Sequence, residues 1–381
     1  MRLHIPWSRR VACAAAAVTL VAAPLAAARA DAPPPSKVLS RWETSAAGNN
    51  VSRDCGYSVR VPNTTNQSLW LFCDSAWSGT SSGFWLGATA AVGPYTAGQV
   101  PTGLTEIPTP TAPINAPSNR PPAGLLPVPT GLKLPDGSTC SVPGSSYPAS
   151  WISGAARQPS TATPSKVLIS YADVCVHPGG LPAQRYGLVE YSVSTNTLSG
   201  QTQVFSSPTE LPFQKTLGSP IFSGGQLYLI AYKCDTNTWG SCENGRVVLA
   251  KVGATPTAWR SATNYQWWNG SGWSGDHNAA VSILPGARPL SAHAENFGAL
   301  GKGFVIVEQT DIAGNFRIWR SSSLTGGWTV TRTGQAPCGD QQGLDLCRAY
   351  FGHPELSTGS NLLMSYYDPA NDHVNVMSVP W

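Results

Sequence analysis

Acidic side chains are few in this chain, 20 among 381 residues, so acids that recur at equivalent places stand out. Three sit in short segments rich in small residues: Asp54 in Asp54-Cys-Gly-Tyr-Ser, Glu295 in His293-Ala-Glu-Asn-Phe-Gly and Glu355 in Gly352-His-Pro-Glu-Leu. A fourth, Asp74, closes the apolar run Ser68-Leu-Trp-Leu-Phe-Cys-Asp74. Paired carboxyl groups suit the cleavage of glycosidic bonds. One protonates the leaving oxygen while the other activates water or attacks the sugar carbon. The plainer alternative is that these acids accept backbone amides and close turns or a channel. His293 and His353 lie two residues from Glu295 and Glu355, where an imidazole can hold a sugar hydroxyl, meet a channel ion or act as a structural hydrogen-bonding group. Aromatic faces for sugar stacking come from Trp267, Trp268 and Trp273 in Tyr265-Gln-Trp-Trp-Asn-Gly-Ser-Gly-Trp273, with Tyr57 and Trp77 beside the acids as further substrate contacts. Packing beneath a neighbouring sheet is the alternative for the loop tryptophans. No strand-to-helix elbow supports Ser/His/Asp chemistry. No Cys-x-x-Cys suggests a metal centre and no cofactor is expected, a calcium ion on the axis lacking any supporting motif.

The elements that must position these residues repeat along the chain. The run ending at Asp74 has counterparts in Lys166-Val-Leu-Ile-Ser-Tyr-Ala-Asp173, Gln226-Leu-Tyr-Leu-Ile-Ala-Tyr-Lys-Cys-Asp235, Gly303-Phe-Val-Ile-Val-Glu-Gln-Thr-Asp311 and Asn361-Leu-Leu-Met-Ser-Tyr-Tyr-Asp368. Each reads as a buried strand entering a turn. A small-residue segment precedes each at similar distance: Asp54 before Asp74, Ser153 before Asp173, Gly218 before Asp235, Ala294 before Asp311, His353 before Asp368. A further strand follows most of them. Five copies of one meander, with no sustained helical period, predict an all-β five-bladed β-propeller. The first strand of each blade would line the axis, which is where the small-residue segments and their acids fall.

Residues 1–30 read as a signal peptide. Arg2, Arg9 and Arg10 precede an apolar run, and Ala28-Arg-Ala30 offers a small-residue cleavage site. An uncleaved anchor is the alternative, against which Pro24 and that site argue, and no later stretch is apolar enough to span a bilayer. The formal charge of +4 belongs to this segment: without Arg2, Arg9, Arg10 and Arg29, 20 basic and 20 acidic residues remain. A balanced chain without a basic cluster excludes nucleic acid and anionic membrane surfaces as partners. Eight cysteines remain once Cys13 is removed, an even number that suits disulfides in a secreted or envelope-associated protein. Cys234 with Cys242 and Cys338 with Cys347 could staple single loops; Cys55 with Cys73 and Cys140 with Cys175 complete one of many connectivities. Residues 31–47 are expected to form a loose arm or to wrap on the surface, and residues 48–381 a single propeller domain, acting as a monomer. Residues 93–147, with proline every few positions, read as a long insertion after the first blade that wraps the propeller, pinned by Cys140.

Arg53-Asp54-Cys-Gly-Tyr-Ser-Val59, followed by Leu69-Trp-Leu-Phe-Cys-Asp74-Ser, resembles the opening of an exported propeller family, first catalogued as a domain of unknown function, that includes endo-D-arabinanases. Members begin with an aspartate-x-glycine inner strand and an aromatic strand ending in Gly-Asp-Thr; here Cys73 and Ser75 stand in place of that glycine and threonine. Ser321-Ser-Ser-Leu-Thr-Gly-Gly-Trp328 more distantly resembles a blade motif of five-bladed arabinanases and furanosidases, with Ser323 where aspartate is usual. The resemblance implies a glycoside hydrolase acting on furanose polymers, with Asp54 and Asp74 as its matched acids. The combined reading is an exported, arabinanase-like hydrolase of a polysaccharide: Asp54 as base or nucleophile, Glu355 as proton donor, and Asp74 or Glu295 tuning the donor. A propeller that only binds glycans or envelope components, through Trp267, Trp268 and Trp273, is the alternative, and a purely structural exported protein is a third.

Overall fold

The computed structural model describes residues 37–38, 51–77, 85–101, 103–110, 123–141, 146–159, 166–177, 183–206, 218–233, 236–238, 241–243, 246–286, 290–338, 347–369 and 373–381. The proposed signal peptide therefore lies outside the described residues, as do Asp235 and Cys234, and no helix among the described residues is long and apolar enough to cross a membrane.

The strands form five antiparallel sheets arranged as a five-bladed propeller. Blade one runs outward through Val51–Arg60, Gln67–Trp77, Thr89–Pro94 and Thr105–Glu106. Blade two comprises Tyr147–Arg157, Val167–Val176, Ala183–Ser192 and Thr197–Ser206. Blade three holds Ser219–Ser223, Gln226–Lys233 and Arg246–Gly253, with Gln266–Trp268 and Trp273–Ser274 on its outer edge. Blade four is Ser291–Asn296, Phe304–Gln309, Asn315–Ser321 and Thr329–Gln335. In blade five, Arg348–Gly352, Asn361–Asp368 and His373–Pro380 are joined on the outside by Lys37–Val38. That short strand from the N-terminal arm pairs Lys37 with Val376 and Val38 with Asn375, so the two ends of the chain close one sheet.

The second strand of each blade is largely apolar because it is covered on both sides. Successive side chains of a strand point to opposite faces. Leu69 and Leu71 accordingly pack with Ile152, Val167 and Ile169 of blade two, while Trp70 and Phe72 pack with Leu363, Val374 and Val376 of blade five. Leu168 and Leu188 meet Leu227 and Leu229 between blades two and three, Ile230 and Leu249 meet Ile306 and Trp319 between three and four, and Val305 and Ile318 meet Leu362 and Met364 between four and five. One apolar layer thus lies at each of the five blade junctions. Half-buried strands alternate; these do not, which is why each run looks continuous in the sequence.

Two local features differ from the sequence expectation. The inner strand of blade five is Arg348–Gly352, and His353 and Glu355 follow it in a turn instead of lying within it. Pro354 has no backbone N–H to continue the ladder, so the strand stops before it. Within residues 93–147, Thr105–Glu106 forms the outermost strand of blade one, and the buried Glu106 receives an ion pair from Arg53 on the inner strand of that blade. Further along, Leu125 and Leu126 join the layer between blades one and two, Asn196 Nδ2 donates to the carbonyls of Pro108 and Thr109 at 3.1 Å each, and Cys140 is bonded to Cys175. Disulfides also join Cys55 to Cys73 and Cys338 to Cys347.

Candidate active site at the propeller axis

All inner strands run the same way, so residues early in them gather at one end of the axis and residues late in them at the other. Asp54 is early in Val51–Arg60 and Arg348 opens the inner strand of blade five; Arg348 Nε donates to Asp54 Oδ2 at 2.9 Å. The guanidinium lies over the Tyr367 ring, 3.9 Å from its centroid. Asp74 belongs to the same end. Arg53 pairs with Ser75, the register shifts just beyond that pair, and Asp54 and Asp74 are left near enough for each to feel the other's charge and that of Arg348. Tyr147 and Trp151 on the inner strand of blade two reach across to Asp74: the phenol O–H donates to Oδ2 at 2.7 Å and the indole N–H to Oδ1 at 2.8 Å.

The two carboxyl groups have different surroundings. Burial pushes Asp74 up to about 6; the donors Tyr147 and Trp151 oppose the rise, Asp54 adds to it, and Arg348 works against it. Asp54 instead has a guanidinium bonded directly to it. The other described strand-closing aspartates are occupied locally. Asp173 accepts from Ser150 and pairs with Arg185, Asp311 caps its own turn through the amides of Ala313 and Asn315, and Asp368 accepts from Asn375. Asp74 differs from them in being held by two aromatic donors from the next blade.

Glu295 and Glu355 form a second group. Ser58 Oγ donates to Glu355 Oε1 and lies 2.6 Å from His353 Nδ1, while His293 Nε2 is 2.8 Å from Glu295 Oε1 and its Nδ1 is 2.7 Å from Ser219 Oγ. Burial raises both carboxyls; proximity to Glu355 adds to the rise at Glu295, and the Ser58 hydroxyl opposes it at Glu355. Burial lowers both imidazoles to about 3, so they are neutral near pH 7. Ser58 is four residues beyond Asp54 on one strand, and Trp70, whose ring meets His353, is four residues before Asp74 on the next. The two groups thus meet the axis at different depths, four residues apart along both strands. The structure therefore joins Asp54 to Asp74 and Glu295 to Glu355, as two pairs at different depths.

Between them the axis is filled. His293 of blade four packs on Tyr57 of blade one, with ring centroids 4.9 Å apart, and on Phe351 of blade five, 4.8 Å away. It touches Ser219 of blade three, and a Cβ on Gly154 of blade two would lie 3.4 Å from its Cε1. Tyr57, His293 and His353 are thus buried packing groups at the axis and do not offer free faces to a sugar. The loop tryptophans are also corrected. Trp267 is 3% exposed and belongs to the layer between blades two and three; Trp268 and Trp273 lie against each other on the outer edge of blade three, with Lys251 over the Trp273 ring. Strand pairing at that edge carries them away from the axis. Trp77 ends the second strand of blade one, and its side chain lies outside the described residues. Among the described residues, no three His, Cys, Asp or Glu side chains converge as a metal ion would require.

Sequence reading found all four acids but missed Arg348, Tyr147, Trp151 and Ser58. Ser58 lies within the Arg53–Val59 segment, and the other three belong to no motif. An arginine opening the fifth inner strand and a tyrosine and tryptophan opening the second were the available signals.

No protein-family profile matches the chain, and no curated protein matches it in sequence. Among solved structures it is similar to a protein from Bacteroides ovatus provisionally named a hydrolase, with a TM-score of 0.56 at 14% identity over 92% of this chain and 97% of the other. It is less similar to a family 117 glycoside hydrolase from the marine bacterium Zobellia galactanivorans, with a TM-score of 0.48 at 9% identity over 91% and 90% of the two chains. A levansucrase from Gluconacetobacter diazotrophicus follows, with a TM-score of 0.43 at 10% identity over 90% and 80%. At these identities the likeness is one of fold.

Proposed function

We propose that this protein is a glycoside hydrolase whose acid–base pair is Asp54 and Asp74. One observation carries the reading. Two carboxyl groups lie near each other at one end of the axis, one keeping its proton to about pH 6 and the other bonded to an arginine. Asp74 would give its proton to the departing glycosidic oxygen while the Asp54 carboxylate either takes a proton from the attacking water or attacks the sugar carbon; in the first route Asp54 then releases that proton to solvent as Asp74 regains one, and in the second water splits the glycosyl–Asp54 ester and gives its proton to Asp74. Tyr147 and Trp151 hold the Asp74 carboxyl in one orientation, and Arg348 does the same for Asp54. This assigns the proton donor's role to Asp74, not to Glu355.

The proposed substrate is a furanose polymer of the arabinan kind, acted on outside the reducing cytosol. Its support is the resemblance of the two segments that carry Asp54 and Asp74, together with the disulfides and the signal-like first 30 residues. The Bacteroides ovatus neighbour carries the name of hydrolase on the same fold. The binding-only alternative loses Trp267, which lies in the core, and keeps Trp268 and Trp273, half-buried on the outer edge of blade three.

The test incubates purified wild type, Asp54→Asn and Asp74→Asn with arabinan and a panel of other polysaccharides, and measures released oligosaccharides. Each substitution should lower release by about 10²–10⁴-fold, the usual worth of a positioned acid or base. Equal release by all three proteins would remove the pair from the mechanism.

A further inference from the structure

The cysteines of one disulfide are the immediate neighbours of both proposed catalytic carboxyls. Cys55 follows Asp54, Cys73 precedes Asp74, and their Cα atoms are 5.4 Å apart. The bridge lies where the two strands are otherwise least well joined. Strand register shifts between Arg53 and Cys55 and again between Cys55 and Tyr57, and Cys55 and Gly56 take left-handed backbone angles, φ 69° and 110°. Gly56 is required there, because a Cβ would come within 2.6 Å of Val374 Cγ1. A broken ladder would let the strands part. The covalent tie next to them prevents it.

The other described disulfides have different settings. Cys140–Cys175 fastens the proline-rich insertion to blade two, and Cys338–Cys347 closes a loop before blade five. Neither flanks an acid of the proposed pair.

We propose that the Cys55–Cys73 disulfide is a positioning device for Asp54 and Asp74, and that the pair is competent for catalysis only in the oxidised chain. The inference rests on the hydrolase reading for its consequence, though its geometry does not. Reduction by a dithiol passes two electrons and two protons to the bridge, giving two cysteine thiols and a disulfide on the reductant. Freed from each other, the strands widen at the bulge, Asp74 gains water, and its proton affinity falls toward that of an ordinary aspartate. Such a protein is idle in a reducing compartment and becomes active when its cysteines are oxidised.

The experiment compares oxidised wild type, Cys55→Ala/Cys73→Ala and Cys140→Ala/Cys175→Ala. The titration midpoint of Asp74 is read by carbon NMR, with Asp74→Asn identifying the signal, alongside far-UV circular dichroism, thermal unfolding and polysaccharide cleavage. Loss of the Cys55–Cys73 bridge should move the midpoint from about 6 toward 3.8 in a folded protein. Cleavage should fall by about 100-fold, as for an ångström-scale misplacement of reacting groups. Loss of the Cys140–Cys175 bridge should lower the melting temperature and leave the midpoint unchanged. Wild type reduced with dithiothreitol, its free thiols located by alkylation and mass spectrometry, supplies the same comparison if the alanine variant does not fold. An unmoved midpoint in either form overturns the proposal, as does global unfolding of both, which would make the bridge a stabilising staple only. Wild type that cleaves no glycan defeats the hydrolase reading, while the midpoint, measured without substrate, still decides the positioning role.

Discussion

Asp74 keeps its proton to about pH 6 because burial outweighs the two donors that favour its anion. Removing one donor should strengthen that preference. In Trp151→Phe the indole N–H bonded to Oδ1 is lost, so the Asp74 midpoint should rise above its present value, and the alkaline fall of cleavage activity should move up with it. A pH–rate profile of the two proteins checks this. The same carboxyl affects folding. Between pH 3.8 and about 6 the folded chain binds the Asp74 proton more tightly than the unfolded chain, so this contribution is complete below 3.8 and is lost as pH rises through about 6. It amounts to about 3 kcal/mol at most. Urea unfolding at pH 4 and pH 7 should show a smaller loss with rising pH in Asp74→Asn than in wild type; an identical loss would mean that Asp74 does not titrate differently on folding. The acids were legible in the sequence because they are rare and recur beside strand ends. Their partners were not, because Arg348, Tyr147 and Trp151 are brought together only by ring closure.

Strands were the most legible elements. A second strand covered on both faces must be largely apolar, and runs such as Leu69–Phe72 and Val167–Ile169 announce that directly. What sequence could not supply was the depth at which each acid meets the axis. Asp54 lies early in its inner strand and Glu355 lies beyond the end of its own, past Pro354, so blade-equivalent segments carried acids to opposite ends. The aromatic loop misled for a related reason: Trp267 is apolar enough to stack on a sugar and equally suited to an inter-blade layer, and strand pairing decides between them. The insertion is also held by specific bonds. Asn196, buried with φ 47°, donates to the carbonyls of Pro108 and Thr109 and accepts from the Tyr191 hydroxyl at 2.8 Å. Asn196→Ala removes these bonds and leaves a β-carbon-bearing residue in a left-handed turn without its polar compensation. A loss of about 2–4 kcal/mol is expected in denaturant unfolding. A change below about 0.5 kcal/mol, the range of ordinary surface substitutions, would show that the strap is held elsewhere.

At the scale of the whole molecule, a propeller is stable only as a ring, and here Lys37–Val38 fasten the outer edge of blade five. Deleting residues 31–38 removes that pairing and exposes the edge of His373–Pro380. The direct cost should be about 2 kcal/mol for a pair of backbone hydrogen bonds, read as a lower melting temperature. Self-association should rise as well, because an uncovered edge strand is a template for pairing; a truncated protein that melts and sediments like wild type would contradict both. This closure has a further effect on how the protein comes into being. Lys37–Val38 must wait for His373–Pro380, so all five blades have to be delivered before the circle can be sealed. Contacts so distant along the chain form slowly. A nascent molecule halted before Arg348 would have neither its seal nor its fifth wall.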